Sequence, residues 1–246
     1  MKASLLLDVQ GISKYFGGLQ ANEDISFQVG KGQILSIIGP NGAGKSTLFN
    51  GIMGFHRVDK GRVLFKGLDI TNKKPHTIAK LGAVRTFQIT QVISDMTVLE
   101  NVMTGGFLRH VRVKEVRENA EGVLAFTGLI AKQNYNAQAL SVSDKKRLEV
   151  AMALAMEPEL LMLDESMAGL TPVELREMIE LIRKVRARGI TIIVVEHVME
   201  AVMELSDHVI VLNSGRKIVE GSPHEVVADR EVIRAYLGDR YDAVRQ

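Results

Sequence analysis

The sequence predicts an α/β fold: a mostly parallel sheet covered by helices, with an antiparallel β flank and an inserted α-helical segment. Three observations carry this. Short apolar runs rich in β-branched residues alternate with segments of helical period. A Gly-rich turn, Gly39-Pro40-Asn41-Gly42-Ala43-Gly44-Lys45-Ser46, stands between one such run and a helical one. The stretch from about 90 to 155 is helix-like almost throughout. The 246 residues suit one large domain. A hydrophobic fraction of 46% against 24% charged excludes bulk disorder. Lys plus Arg number 31 and Asp plus Glu 29, so the net charge of +2 writes no nucleic-acid footprint, and no nucleic-acid partner is expected. The chain has no cysteine, which excludes disulfides, thiolate zinc sites and Cys nucleophiles and fits a reducing cytoplasm.

Taken in order, Leu5 to Val9, Ile25 to Val29 and Val63 to Phe65 lie between Gly-containing turns and read as antiparallel strands. Three leucines at 5–7 are too few for a signal peptide, so export is not expected. No run approaches the roughly 18 apolar residues of a membrane span. Gln33 to Ile38 is a β-rich run stopped by Gly39-Pro40, and Leu160 to Leu163 and Thr191 to Val195 are two more buried-strand patterns. Val113, Val116, Ala120 and Val123 form one helical face. Between the last two strands, Leu175, Met178, Ile179, Ile182 and Val185 form another, with Pro172 near its start and Gly189 past its end. Val198, Ala201, Val202 and Leu205 predict a further helix. Val209 to Leu212, Asn213-Ser214-Gly215 and Arg216 to Val219 read as a hairpin.

The Gly-rich turn satisfies G-x-x-x-x-G-K-S/T, after a strand and opening a helix through Ser46 and Thr47. Glycines let backbone N–H groups curl around phosphate oxygens, and the helix start faces the same anion. Lys45 then reaches the β- and γ-phosphates of ATP, and the Ser46 hydroxyl can hold Mg²⁺. Leu160 to Leu163 ends in Asp164-Glu165. Alone, this is either a solvated acidic turn or a catalytic pair. Beside a phosphate loop, Asp164 holds Mg²⁺ and Glu165 is the candidate general base. His197, just past a buried strand, reads as either a capping or surface histidine or a donor to the γ-phosphate. His56, His76, His110, His208 and His224 show no metal-ligand spacing.

In order, aromatic-Gly-Gly near residue 16, the phosphate loop, Arg85-Thr86-Phe87-Gln88, Leu140-Ser141, Leu161-Met162-Leu163-Asp164-Glu165, Ala168-Gly169-Leu170 and Glu196-His197 resemble the ATP-binding subunits of ABC transporters. The resemblance covers essentially the whole chain. It is closest to the LivG-like ATPases of branched-chain amino-acid importers, through Arg85 to Gln88, Met96 to Asn101, Arg147 to Ala151 and the tail Val232 to Gly238. It implies a P-loop NTPase (RecA-like) core over 1–88 and 156–246, with a helical subdomain over 89–155.

The resemblance also assigns residues. Phe16, with Tyr15 as the alternative, stacks on adenine, and a core aromatic is the other reading. Gly39 to Thr47 bind the phosphates. Gln88 touches Mg²⁺ and the attacking water, Glu165 and His197 are catalytic, and Ser46 and Asp164 complete the metal site. The implied partners are permease subunits at the cytoplasmic face of the membrane, indirectly a substrate-binding protein, and a second ATPase, either a LivF-like subunit or a second copy. Two ATP molecules are then sandwiched, each reached in trans by a Leu-Ser-Gly-Gly-Gln stretch. Here that stretch reads Leu140-Ser141-Val142-Ser143-Asp144, Ser166 replaces the usual Pro, and Thr171 stands where Asp is common. These departures fall on the trans half and point to an unlike partner with one stronger and one weaker composite site. Ser141 with Asp144 also makes a capping-box pattern, and a well-capped helix is the plainer reading. Two alternatives are a lipopolysaccharide- or lipid-export ATPase of the same architecture and a soluble ABC protein. The second is disfavoured by the single phosphate loop and by the lack of long coiled-coil or zinc insertions.

Overall fold

The computed structural model describes residues 4–87 and 92–237. Leu5–Phe16 (β1) and Leu19–Gly30 (β2) pair antiparallel across a tight Gly17-Gly18 turn. Ile34–Ile38 (β3) is wholly buried and runs through the glycine loop into Lys45–Ile52 (α1). Lys60–Phe65 (β4) and Leu68–Asp69 (β5) return to the flank, whose order is β2-β1-β4-β5. Pro75–Leu81 (α2) leads into the edge strand Ala83–Arg85 (β6).

Val98–Gly106 (α3), Val113–Thr127 (α4) and Val142–Ala155 (α5) then pack on one another. Leu160–Asp164 (β7), Pro172–Ala187 (α6) and Thr191–Val195 (β8) form a β–α–β unit with parallel strands. Met199–Leu205 (α7) precedes the hairpin His208–Asn213 (β9) and Arg216–Gly221 (β10). Pro223–Ala228 (α8) and Arg230–Leu237 (α9) close the described chain. The main sheet has the order β10-β9-β3-β8-β7-β6, parallel except for β10.

The continuous apolar runs follow from burial on both faces. Leu161 and Leu163 of β7 and Ile192 and Val194 of β8 join one core, with α3 to α7. Leu160, Met162, Ile193 and Val195 join the other, between this sheet, the antiparallel flank and α1. Period-2 alternation sends successive residues to opposite faces, and here both faces are dry. Helix α6 is held at its start by a reciprocal Thr171–Glu174 capping box, with Pro172 in its first turn, and buries the predicted face.

Several elements differ from the sequence reading. Val113, expected on the buried face of α4, is 62% exposed because it opens the helix before the apolar stripe begins at Val116. Helices α2, α8 and α9 and strands β5 and β6 were not anticipated, since two or three strand residues carry no readable alternation. The Ser141–Asp144 box closes on one side only. Ser141 Oγ accepts the Asp144 N–H at 3.1 Å, while the Asp144 carboxylate pairs with Lys132 instead of reaching back. Among the described residues, no helix is long and apolar enough to cross a membrane.

Candidate nucleotide site

Strands β3, β8 and β7 end level with one another. Ile37 pairs with Val195, and Val195 with Asp164. The carboxyl ends of parallel strands therefore bring Gly39, Asp164-Glu165 and Glu196-His197 to one edge, where open α/β sheets place their ligands. Two loop glycines are required by space as well as by conformation. Gly39 has φ +151°, and a Cβ there would lie 2.1 Å from the Leu212 carbonyl oxygen. Gly44, at φ +96°, would place a Cβ 2.4 Å from the Ala21 carbonyl oxygen.

Helix α1 starts at Gly44 with no side-chain cap and no acid in its first turn. By contrast, α3, α6 and α8 are each closed by a Thr or Ser with a Glu three residues on. An uncapped start leaves amide donors and the positive helix end directed into the loop, as an anion site needs. Lys45 is buried, and its ammonium donates to the carbonyls of Gly39 (2.7 Å) and Pro40 (3.1 Å). Burial pushes its pKa down, while Glu165 and Asp164 nearby oppose that. Asn41, Gly42, Ala43, Gly44, Lys45, Ser46 and Thr47 line a cleft of about 440 Å³ that also takes in Phe16 and Glu165. Phe16 is 44% exposed at the cleft wall, its ring edge-on to His56 at 5.5 Å.

Asp164 is a buried acid of the site. Its Oδ2 accepts Arg85 Nη2 at 2.8 Å, and its Oδ1 is buried with no hydrogen-bond donor among the described residues. Burial raises the Asp164 pKa, and Arg85 opposes it. Arg85 also donates to Asn50 Oδ1 (2.6 Å) and stacks over Phe87, Phe55 and Phe49. Sequence reading used Arg85 only as a marker of kinship. Its ion pair with Asp164 was missed because β6 is too short to be placed beside β7 without the structure. Tyr236 was missed for a similar reason: α9 brings it beside Ile38 at the end of β3.

The residues present fit ATP and Mg²⁺. The loop offers amides and a buried ammonium for phosphate, and Ser46 with the orphaned Asp164 oxygen offers the hard oxygen donors that Mg²⁺ takes. Among the described residues, no group of three or more His, Asp or Glu is placed to hold a metal ion. His197 is exposed just past β8 at the same edge. Gln88 lies outside the described residues. Ser141 is exposed at the start of α5, and its hydroxyl caps its own helix.

We expect Arg85→Met to destabilise the fold by about 3–5 kcal/mol, because it strands a buried carboxylate. The loss has a sign in pH. A raised folded-state pKa favours the protonated native form, so the variant should regain stability as pH falls through the Asp164 pKa and lose it as pH rises. Chemical denaturation across pH, with Arg85→Met/Asp164→Asn as the reference, checks this. A loss independent of pH and unrelieved in the double variant would show that the Arg85 stacking on phenylalanines matters more.

Comparison with known proteins agrees with this geometry. Residues 22–168 match the family model for the ABC transporter, and residues 216–242 match that for the branched-chain amino acid ATP-binding cassette transporter. The chain is 39% identical to a probable branched-chain amino acid transport ATP-binding protein LivG of Archaeoglobus fulgidus, over 95% of each chain. It is 37% identical to the high-affinity branched-chain amino acid transport ATP-binding protein LivG of Escherichia coli K12, over 95% of this chain and 98% of that one. A crystal structure of the ADP conformation of MJ1267, an ATP-binding cassette of an ABC transporter, superposes with a TM-score of 0.88 at 35% identity. It covers 96% of this chain and 100% of the other.

Proposed function

Because the chain belongs to the ABC transporter ATP-binding family, with its P-loop NTPase fold, we propose that it powers an importer of branched-chain amino acids or related small molecules. The observation that carries the reading is the uncapped phosphate loop set level with the orphaned oxygen of Asp164. Family and site together make the chain an ATPase coupled to transport. The substrate class follows the relatives, which are named as branched-chain amino acid transport ATP-binding proteins.

Within this proposal Lys45 and the loop amides hold the phosphates, and Ser46, Asp164 and Gln88 hold Mg²⁺. Bound Mg²⁺ supplies charge neutralisation on the phosphates. Glu165 orients and deprotonates water, His197 donates to the γ-phosphate, and Phe16 contacts adenine. We read 1–88 and 156–246 as the nucleotide-binding part and 89–155 as the helical subdomain of one domain. Two ATPase subunits pair, and Ser141 is offered to the opposite nucleotide. Val142 is 64% exposed there, consistent with a surface that meets another chain. A LivF-like subunit is the favoured partner, because the glycines that allow close approach are absent.

Permease subunits dock where β6 meets α5 and the loop after Gln88, holding the chain at the cytoplasmic face of the membrane. A small groove there is lined by Thr86, Phe87, Met152 and Met156. Further along the chain Ile93 and Met96 are exposed, while buried Asn101 clamps the segment through the N–H and carbonyl of Ile93. The chain has no cysteine of its own, so single cysteines can be placed cleanly. Cysteines at Val92 to Met96 should cross-link to a permease subunit in membranes. Capture only from the hairpin turn at 213–215 would refute the placement.

A further inference from the structure

Glu165 adopts a left-handed backbone, φ +50°, which side-chain-bearing residues rarely take. Something must hold it there. Its own N–H donates to the Val195 carbonyl at 2.9 Å, and its carbonyl accepts the Ala168 N–H at 3.3 Å. Two side chains from elsewhere add to this. Lys146 of α5 reaches across to the Glu165 carbonyl at 3.0 Å. Glu196, at the end of β8, is fully buried and accepts the Met167 N–H through Oε1 at 2.8 Å. Its Oε2 is buried with no hydrogen-bond donor among the described residues. Burial lowers the Lys146 pKa, and the negative charges of Glu196, Glu149 and Glu165 oppose that.

A buried carboxylate with one orphaned oxygen is costly, and such groups in native structures call for a reason. We propose that Lys146 and Glu196 are positioning residues: they grip the Glu165–Met167 backbone from two sides and so aim the Glu165 carboxylate. The inference rests on the reading of Glu165 as the base. Ser166 makes the grip necessary. Where the family usually has Pro, a ring would fix φ and stiffen the chain, and serine supplies no such restraint. Lys146 also lies on the helix that begins at Ser141, so a displacement of α5 pulls directly on the Glu165 carbonyl.

The test is steady-state ATP hydrolysis and nucleotide affinity of the full chain, in wild type and in Glu165→Gln. Lys146→Met and Glu196→Leu should each lower kcat about tenfold to a hundredfold, since an error near 1 Å at the reacting group has that scale. KM and nucleotide affinity should stay within about twofold. Lys146→Arg and Glu196→Gln, which keep a donor and an acceptor, should stay within about threefold of wild type. In Glu165→Gln, neither Lys146→Met nor Glu196→Leu should lower single-turnover hydrolysis further, because the carboxylate they aim is gone. Unchanged kcat in both variants, a parallel loss of nucleotide affinity, or an equal loss in both backgrounds would overturn the proposal. Normal turnover in Glu165→Gln alone would instead overturn the assignment of the base.

Discussion

Lys45→Ala is expected to weaken ATP binding by about 10- to 100-fold and to lower kcat by a further 10²- to 10³-fold. The ammonium already sits at the mouth of the loop, on the carbonyls of Gly39 and Pro40. Those are neutral acceptors, and a phosphate oxygen is a stronger one. A hydrogen bond to a charged group contributes about 1.5–3 kcal/mol, which sets the binding loss. The larger effect falls on turnover, because charge builds on the transferred phosphoryl group as the reaction proceeds and a positioned cation is worth most at that point. Arginine should not restore it, since a planar fork does not fit a pocket shaped around a point charge between two carbonyls. Removal of Lys45 also takes away one of the cations near Asp164 and Glu165, so those two acids repel one another more. Equilibrium binding of a fluorescent nucleotide and steady-state hydrolysis measure the two effects. Wild-type affinity and turnover would place the nucleotide elsewhere on the chain.

The parts of this site that could be read in the sequence are those whose chemistry is local. The phosphate loop is a contiguous motif, and its glycines, lysine and serine lie next to one another along the chain. Asp164-Glu165 and Glu196-His197 were legible because each follows a buried strand and parallel topology brings strand ends together. What was not legible depends on pairing between distant short elements. Arg85 meets Asp164 only because a three-residue edge strand, β6, lies beside β7. Tyr236 meets Ile38 only because α9 folds back over the end of β3. Asp144 illustrates the same limit at close range. The S-x-x-D spacing permits a reciprocal cap, yet the carboxylate is taken by Lys132, a stronger partner than a backbone amide. Glu196 looked like a companion of His197, and its burial against the Met167 N–H shows only in three dimensions.

Glu165→Gln should bind ATP with near wild-type affinity and hydrolyse it about 10²- to 10⁴-fold more slowly, the range a positioned general base contributes. The substitution keeps the size of the side chain and its position on the cleft wall beside the phosphate loop. The left-handed backbone at 165 is held by bonds to main-chain atoms, from Lys146 and to Val195, and these survive the change. Fold and nucleotide pocket therefore persist, and the loss is confined to proton removal from the attacking water. Loss of the negative charge should also ease the approach of the γ-phosphate, so ATP-bound protein accumulates where wild type would turn over. If the chain pairs with a second ATPase around ATP, the trapped species is the paired form, visible by size-exclusion chromatography with ATP and Mg²⁺ and absent with ADP. The contrast with Lys45→Ala is the diagnostic feature. One variant binds more weakly and turns over slowly, and the other binds normally without turning over, so the two together separate the phosphate cradle from the base. Near-normal hydrolysis in Glu165→Gln would move the proton-accepting role to another group, and His197 at the end of β8 is the next to test.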